Sequence, residues 1–207
     1  MGQRHPAQAG TFHITTNAAG RISWCTLFGV PEMLIDNLCM SRSVHRVQLH
    51  AFCILPDHVH LIVSVGEKGA SGFMHSFKKN SSRDVSEFLG CRSDFRIAAT
   101  GEDDFRIAAT GNIDDRIASA GNNDFCITSN TRSGGSKTAA ALPEQHRIRW
   151  QKGYHDELIR DGTQRSAALA YVHGNAMKHG LVTEIPDWPW TSLHYRNRVD
   201  PMEVWLD

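Results

Sequence analysis

His58 and His60 stand one residue apart in the run Cys53-Ile54-Leu55-Pro56-Asp57-His58-Val59-His60-Leu61-Ile62-Val63. Side chains alternate along a strand, so two imidazoles at this spacing project from one face. Paired imidazoles are half of a divalent-metal site, and the ion requires further ligands from elsewhere in the fold. A second chemical set lies downstream, in Tyr171-Val172-His173-Gly174-Asn175-Ala176-Met177-Lys178-His179-Gly180. On a helix Tyr171, Asn175 and Lys178 fall at i, i+4 and i+7 and share one face. An amide oxygen can be a third metal ligand, a phenol can attack phosphorus, and an ammonium can offset the charge that develops.

These groups need a strand and a helix to present them. Residues 11–16 read as a short strand, 31–44 as a helix opened by Pro31, and 47–55 and 58–65 as apolar strands joined by a Pro56-Asp57 hairpin turn. Residues 71–89 form an amphipathic pattern, with Phe73, Phe77, Val85, Phe88 and Leu89 on one side and Lys78, Lys79 and Arg83 on the other. Residues 148–158 are partly strand-like. Residues 163–179 read as a helix capped by Thr163 and stopped by Gly180. The order βαββα, insertion, β, α predicts an α+β fold of the ferredoxin-like split βαβ type: an antiparallel sheet with helices on one face, plus a C-terminal tyrosine-bearing helix.

The insertion is a repeat of period ten. Asp94-Phe-Arg-Ile-Ala-Ala-Thr-Gly-Glu-Asp is followed by three further copies beginning at Asp104, Asp114 and Asp124. Each of the first three copies offers at most a Phe and an Ile to bury before its Thr-Gly or Ala-Gly break, too little apolar area to offset chain entropy, so a flexible segment is expected over 93–142. Residues 1–92 and 143–207 then form the single functional domain.

Bulk composition narrows the function classes little. The 207 residues carry 22 basic and 22 acidic side chains. Residues 94–142 hold five of the former and seven of the latter, which leaves the remainder mildly basic, and all twelve histidines lie outside that segment. Five widely spaced cysteines with no CxxC pair argue against a disulfide framework or a zinc knuckle and fit a reduced cytoplasm. No apolar run approaches the ~20 residues that span a bilayer, so no membrane association is expected.

Four motifs in order resemble the REP-associated tyrosine transposases, within the single-tyrosine HUH transposases. They are Leu55-Pro56-Asp57-His58-Val59-His60-Leu61, the Trp150-to-Asp161 segment, the Tyr171-to-Val182 segment, and Asp187-Trp188-Pro189-Trp190-Thr191-Ser192. The resemblance implies a ferredoxin-like fold, binding of hairpin-forming single-stranded DNA, and cleavage and rejoining through a 5′-phosphotyrosine, with Mg²⁺ or Mn²⁺ as cofactor. Carried over by position, Tyr171 is the nucleophile and His58, His60 and Asn175 hold the metal. The family includes monomers and homodimers, and either is compatible here. Where the family reads Asn-Pro, this chain has Asn175-Ala176, and Gly174 precedes the asparagine; such a helix is expected to be looser by about 1 kcal/mol.

Lys78, Lys79, Arg83 and Lys152, with Lys178, are candidate phosphate or DNA contacts, although a solvated helix face explains a basic stripe equally well. Tyr154 is a competing nucleophile but lacks an amide partner at i+4, which favours a structural role. His173 and His179 are expected to be solvated or to touch phosphate, and Trp188 and Trp190 to pack. Two rival functions stand beside the transposase: a DNA-hairpin-binding descendant that no longer turns over, and a metal-dependent phosphodiesterase that uses water as its nucleophile.

Overall fold

A computed structural model describes residues 8–91 and 148–202. The decapeptide repeat lies outside the described residues. Apart from the last turn of the second helix, the described elements belong to one compact unit, Met1–Phe88 with Ile148–Asp207.

The elements run β1 (Gly10–Asn17), a short 3₁₀ turn, α1 (Val30–His45), β2 (Gln48–Ile54), β3 (His58–Val65), α2 (Ser71–Cys91), β4 (His155–Ile159) and α3 (Gly162–Lys178). The strands form one antiparallel sheet in the order β2-β3-β1-β4. This is the split βαβ order expected from the element sequence, with the two α/β crossovers placing β1 and β3 at the centre. The α+β assignment therefore holds, and the C-terminal tyrosine-bearing helix follows the last strand as expected.

Alternation divides the sheet. Phe12, Ile14, Phe52, Leu61 and Val63 are buried on one face, together with Leu34, Ile35 and Leu38 of α1 and Phe73, Met74 and Phe77 of α2. The other face carries Thr11, His13 and Thr15 of β1 opposite Ser64, Ile62 and His60 of β3. There α3 seats Val172 and Ala176 against Ala51, Cys53, Ile62 and Ile159. Burial of such side chains contributes about 1.5–3 kcal/mol each and fixes how α3 lies on the sheet.

Several local readings are corrected. The N-cap of α3 is Asp161, whose carboxylate accepts from the Gln164 backbone N–H at 2.7 Å, and not Thr163, which lies inside the first turn. The strand expected over 148–158 is shorter and later. Trp150 pairs only as a single bridge with Ala18, and its indole is core, donating to Ser81 Oγ at 2.9 Å with the Trp24 ring 4.7 Å away. Gly180 ends α3 in the left-handed region at φ +68°, where a side chain would be strained. The helix is continuous through Gly174 and Ala176, and Ala176 is fully buried.

Candidate active site

The β3 strand turns His58 and His60 to the α3 face, where they are only 5% and 4% exposed. Their rings lie 5.0 Å apart, edge to face. Each is held through Nδ1. His58 Nδ1 meets Asp57 Oδ1 at 2.6 Å, and Asp57 is in turn clamped by Arg21 at 2.7 Å. His60 Nδ1 lies 2.9 Å from Thr15 Oγ1 and 3.1 Å from His13 Nε2. Neither ring's Nε2 has a hydrogen-bond partner among the described residues.

Across this pair stands α3. The Tyr171 ring meets His60 edge-on at 5.4 Å and His13 at 5.5 Å, while Lys178 Nζ sits 4.7 Å above the Tyr171 ring. Tyr171 is 41% exposed, in contrast to the buried imidazoles it faces. Asn175, one turn further along, is fully buried, and neither Oδ1 nor Nδ2 has a partner among the described residues. Leaving such an amide unsatisfied costs about 1–3 kcal/mol, and a buried orphan of this kind signals a missing partner.

Burial sets the protonation of the imidazoles. His60 is pushed down to about 3, first by burial and then by the neighbouring His58, His13, His179 and Lys178. Burial also lowers His58, against the raising influence of Asp57, and lowers His13, against Glu157. Neutral rings keep a lone pair free for a cation.

The residues present fit a divalent ion. Among the described residues no three His, Cys, Asp or Glu side chains are arranged to hold a metal, so a site built on His58 and His60 would need a ligand of another type. The unsatisfied Asn175 amide is such a group, and carboxylate support behind a ligating imidazole, as Asp57 gives His58, is the usual arrangement around bound metals.

The sequence-predicted residues thus divide. His58, His60, Tyr171 and Lys178 are brought together by direct contacts, with Asn175 one turn below Tyr171. Lys78 is used internally, its ammonium donating to the Gln151 and Gly153 carbonyls at 2.6 and 2.5 Å, and its pKa is lowered by burial. Arg83 pairs with the adjacent Asp84 at 2.9 Å. Lys79 and Lys152 line a cleft of about 630 Å³ with Met74, Lys78, Tyr154 and His155. This cleft shares Thr15 and His155 with a cavity of about 430 Å³ that ends at His13 and Tyr171. Tyr154 is pushed up to about 12 by burial, which suits a wall residue better than a nucleophile. His173 bonds Ser192 Oγ at 2.9 Å, and the Trp188 indole donates to the Ile54 carbonyl at 2.9 Å.

Two residues were not anticipated at the site. His179, at the C-cap of α3, places its ring 5.3 Å from that of His58. His13 contacts both His60 and Tyr171, and its signal was present in the alternation Thr11, His13, Thr15 on β1.

A four-stranded antiparallel sheet here presents paired strand imidazoles on the face that carries the helix with Tyr171. The model of the family described as "Transposase IS200 like" matches residues 11–111, a span that contains both histidines but not Tyr171. A Haemophilus influenzae protein named as a REP-associated tyrosine transposase is 40% identical over 45 residues, covering 22% of this chain and 26% of that protein. The match thus spans about a quarter of the relative's length. In fold, the chain is similar to the solved structure of a REP-associated tyrosine transposase bound to a REP hairpin, with a TM-score of 0.58 and 17% identity, covering 100% of this chain and 92% of that one. The resemblance read from the four motifs is borne out: in sequence and in fold this chain is similar to the REP-associated tyrosine transposases. Among the described residues no helix is long and apolar enough to cross a membrane.

Proposed function

We propose that this protein is a metal-dependent, single-stranded DNA endonuclease and strand transferase that acts at hairpin-flanked sites through Tyr171. The observation that carries this reading is the placement of an exposed phenol against two neutral imidazoles and beneath an ammonium, beside a buried amide with no partner. His58, His60 and Asn175 would hold Mg²⁺ or Mn²⁺, which when bound supplies Lewis-acid polarisation of a phosphate oxygen. Tyr171 Oη gives up its proton to solvent and attacks phosphorus in line, the O–P bond forms, and the bond to the 3′ oxygen breaks, that oxygen taking a proton from water to leave as a hydroxyl. Lys178, whose Nζ lies 4.7 Å over the Tyr171 ring, offsets negative charge that develops on the phosphate. The phosphotyrosine retains the bond energy, so a 3′-hydroxyl can reverse the step on another strand.

The DNA path uses the two cavities that share Thr15 and His155 in their walls. Lys79 and Lys152 face the backbone on the cleft side, with Lys78 stiffening the 151–153 loop, and the strand passes Thr15 and His155 to reach Tyr171. Arg83, paired to Asp84, contributes less. The hairpin partner of the structural relative makes folded single strands the substrate class to test, in the cell's DNA-bearing compartment.

The test is a denaturing gel of the full chain incubated with Mn²⁺ or EDTA and 3′-labelled hairpin DNA from the flank of its own gene. A slow adduct that needs metal and vanishes in Tyr171→Phe is expected. Turnover without an adduct, retained in Tyr171→Phe, would establish a water-using phosphodiesterase instead, and salt-sensitive binding without an adduct would establish the binding-only descendant.

A further inference from the structure

Resting on the reading of His58 and His60 as the metal pair, we propose that Thr15 and His13 are positioning residues that hold His60 as its Nδ1–H tautomer, keeping Nε2 as the lone pair offered to a ligand. The register of the sheet places them. Thr15 lies opposite His60 across the β1/β3 pairing, and His13, two residues along, lies on the same face. Thr15 Oγ1 and His13 Nε2 converge on one atom, His60 Nδ1, at 2.9 and 3.1 Å.

A neutral imidazole has one N–H and one lone pair. Were Nδ1 the lone pair, the threonine O–H and the His13 Nε2–H would aim two hydrogens at a single acceptor position. With the proton on Nδ1, one N–H is shared between two acceptors, and the hydroxyl proton is free to turn away. His13 is then itself the Nδ1–H tautomer, its Nε2 accepting.

The neighbouring ring provides the internal comparison. The Asp57 carboxylate, paired with Arg21, can only accept, so its 2.6 Å contact fixes the proton of His58 on Nδ1. Two chemically different supports, a clamped carboxylate behind His58 and a neutral hydroxyl–imidazole pair behind His60, therefore enforce the same tautomer on both rings. Partners of this kind orient ligating histidines, and their loss costs about 10- to 100-fold in metal affinity.

The experiment reads the tautomer directly. Long-range ¹H–¹⁵N imidazole spectra of the metal-free full chain are expected to show His60 protonated at Nδ1. The isosteric Thr15→Val combined with His13→Phe is expected to move the population toward Nε2–H and to weaken Mn²⁺ binding, followed by electron paramagnetic resonance, about tenfold. Thr15→Ser, which keeps the hydroxyl, is expected to retain both readouts. Protonation of wild-type His60 at Nε2, or a double variant with an unchanged tautomer, overturns the proposal. A wild-type chain that keeps Nδ1–H but binds no Mn²⁺ would uphold the tautomer assignment and bring down the metal reading alone.

Discussion

One face of the sheet carries two histidine–hydroxyl clusters built from the same ingredients, and they end differently. Toward the Thr11 end, Thr11 Oγ1 bonds Ser64 Oγ at 2.7 Å, Ser64 bonds His50 Nε2 at 2.8 Å, and His50 Nδ1 reaches the Asp200 carbonyl at 3.3 Å. Both ring nitrogens are used. Toward the Thr15 end, His58 and His60 are bonded through Nδ1 only and Asn175 of α3 has no partner, among the described residues. A closed network fastens strands and the C-terminal segment, whereas an open one leaves acceptors for a ligand. The location of unsatisfied acceptors, more than the presence of histidine, separates scaffold from site.

Variants can break or sharpen this contrast. The largest effect is expected from His60→Ala, which should lower adduct formation by at least about 100-fold in a timed gel assay, given what loss of mere supporting groups costs. His50→Ala should leave the adduct rate of folded protein unchanged while costing about 1–3 kcal/mol in urea denaturation, because Ser64 keeps only Thr11 and the Asp200 carbonyl loses the imidazole. Equal losses of activity in the two variants would dissolve the distinction. Asn175→Ala is expected to raise stability by about 1 kcal/mol, since an unsatisfied buried amide is replaced by the best helix former, and to weaken Mn²⁺ binding in calorimetry. A destabilised Asn175→Ala would mean that the amide is already satisfied. Gly174→Ala should add roughly 0.8–1 kcal/mol without loss of adduct, because a Cβ there would meet only Ile185 Cδ1 at 3.8 Å. Smallest of all, Lys152→Ala should reduce the slope of log affinity against log salt by about 0.7–1 in hairpin-binding titrations.

Much of this contrast was legible in the residues themselves. The HxH spacing within a β-branched run determined which face both imidazoles take, and the i, i+4, i+7 stripe placed Tyr171, Asn175 and Lys178 together before any tertiary contact was known. The bounds of β3 and the start of α2 coincide with the pattern. Other features depend on tertiary partners that no local window contains. His13 joins the site because of strand pairing across 47 residues, and His179 does so because α3 ends above His58. Asp161 displaces Thr163 as cap because the chain leaves β4 in extended conformation at that residue. Lys78 read as a candidate DNA contact on a basic stripe, and the Gln151 and Gly153 carbonyls of the 151–153 loop take up its ammonium instead.

The position of β4 has a consequence in time. Among the described residues it pairs with β1 alone, along Thr11–Ile159 to Thr15–His155, and 63 residues separate it from the end of α2. At roughly 5–20 residues per second of synthesis, β1 therefore waits about 3–13 s as an unpaired sheet edge after α2 has been made. A bare edge invites pairing with a neighbouring chain. Lengthening of the connection before β4 thus extends the interval in which a newborn copy is vulnerable, so yield of folded protein during expression becomes sensitive to repeat number even where the finished site is indifferent to it.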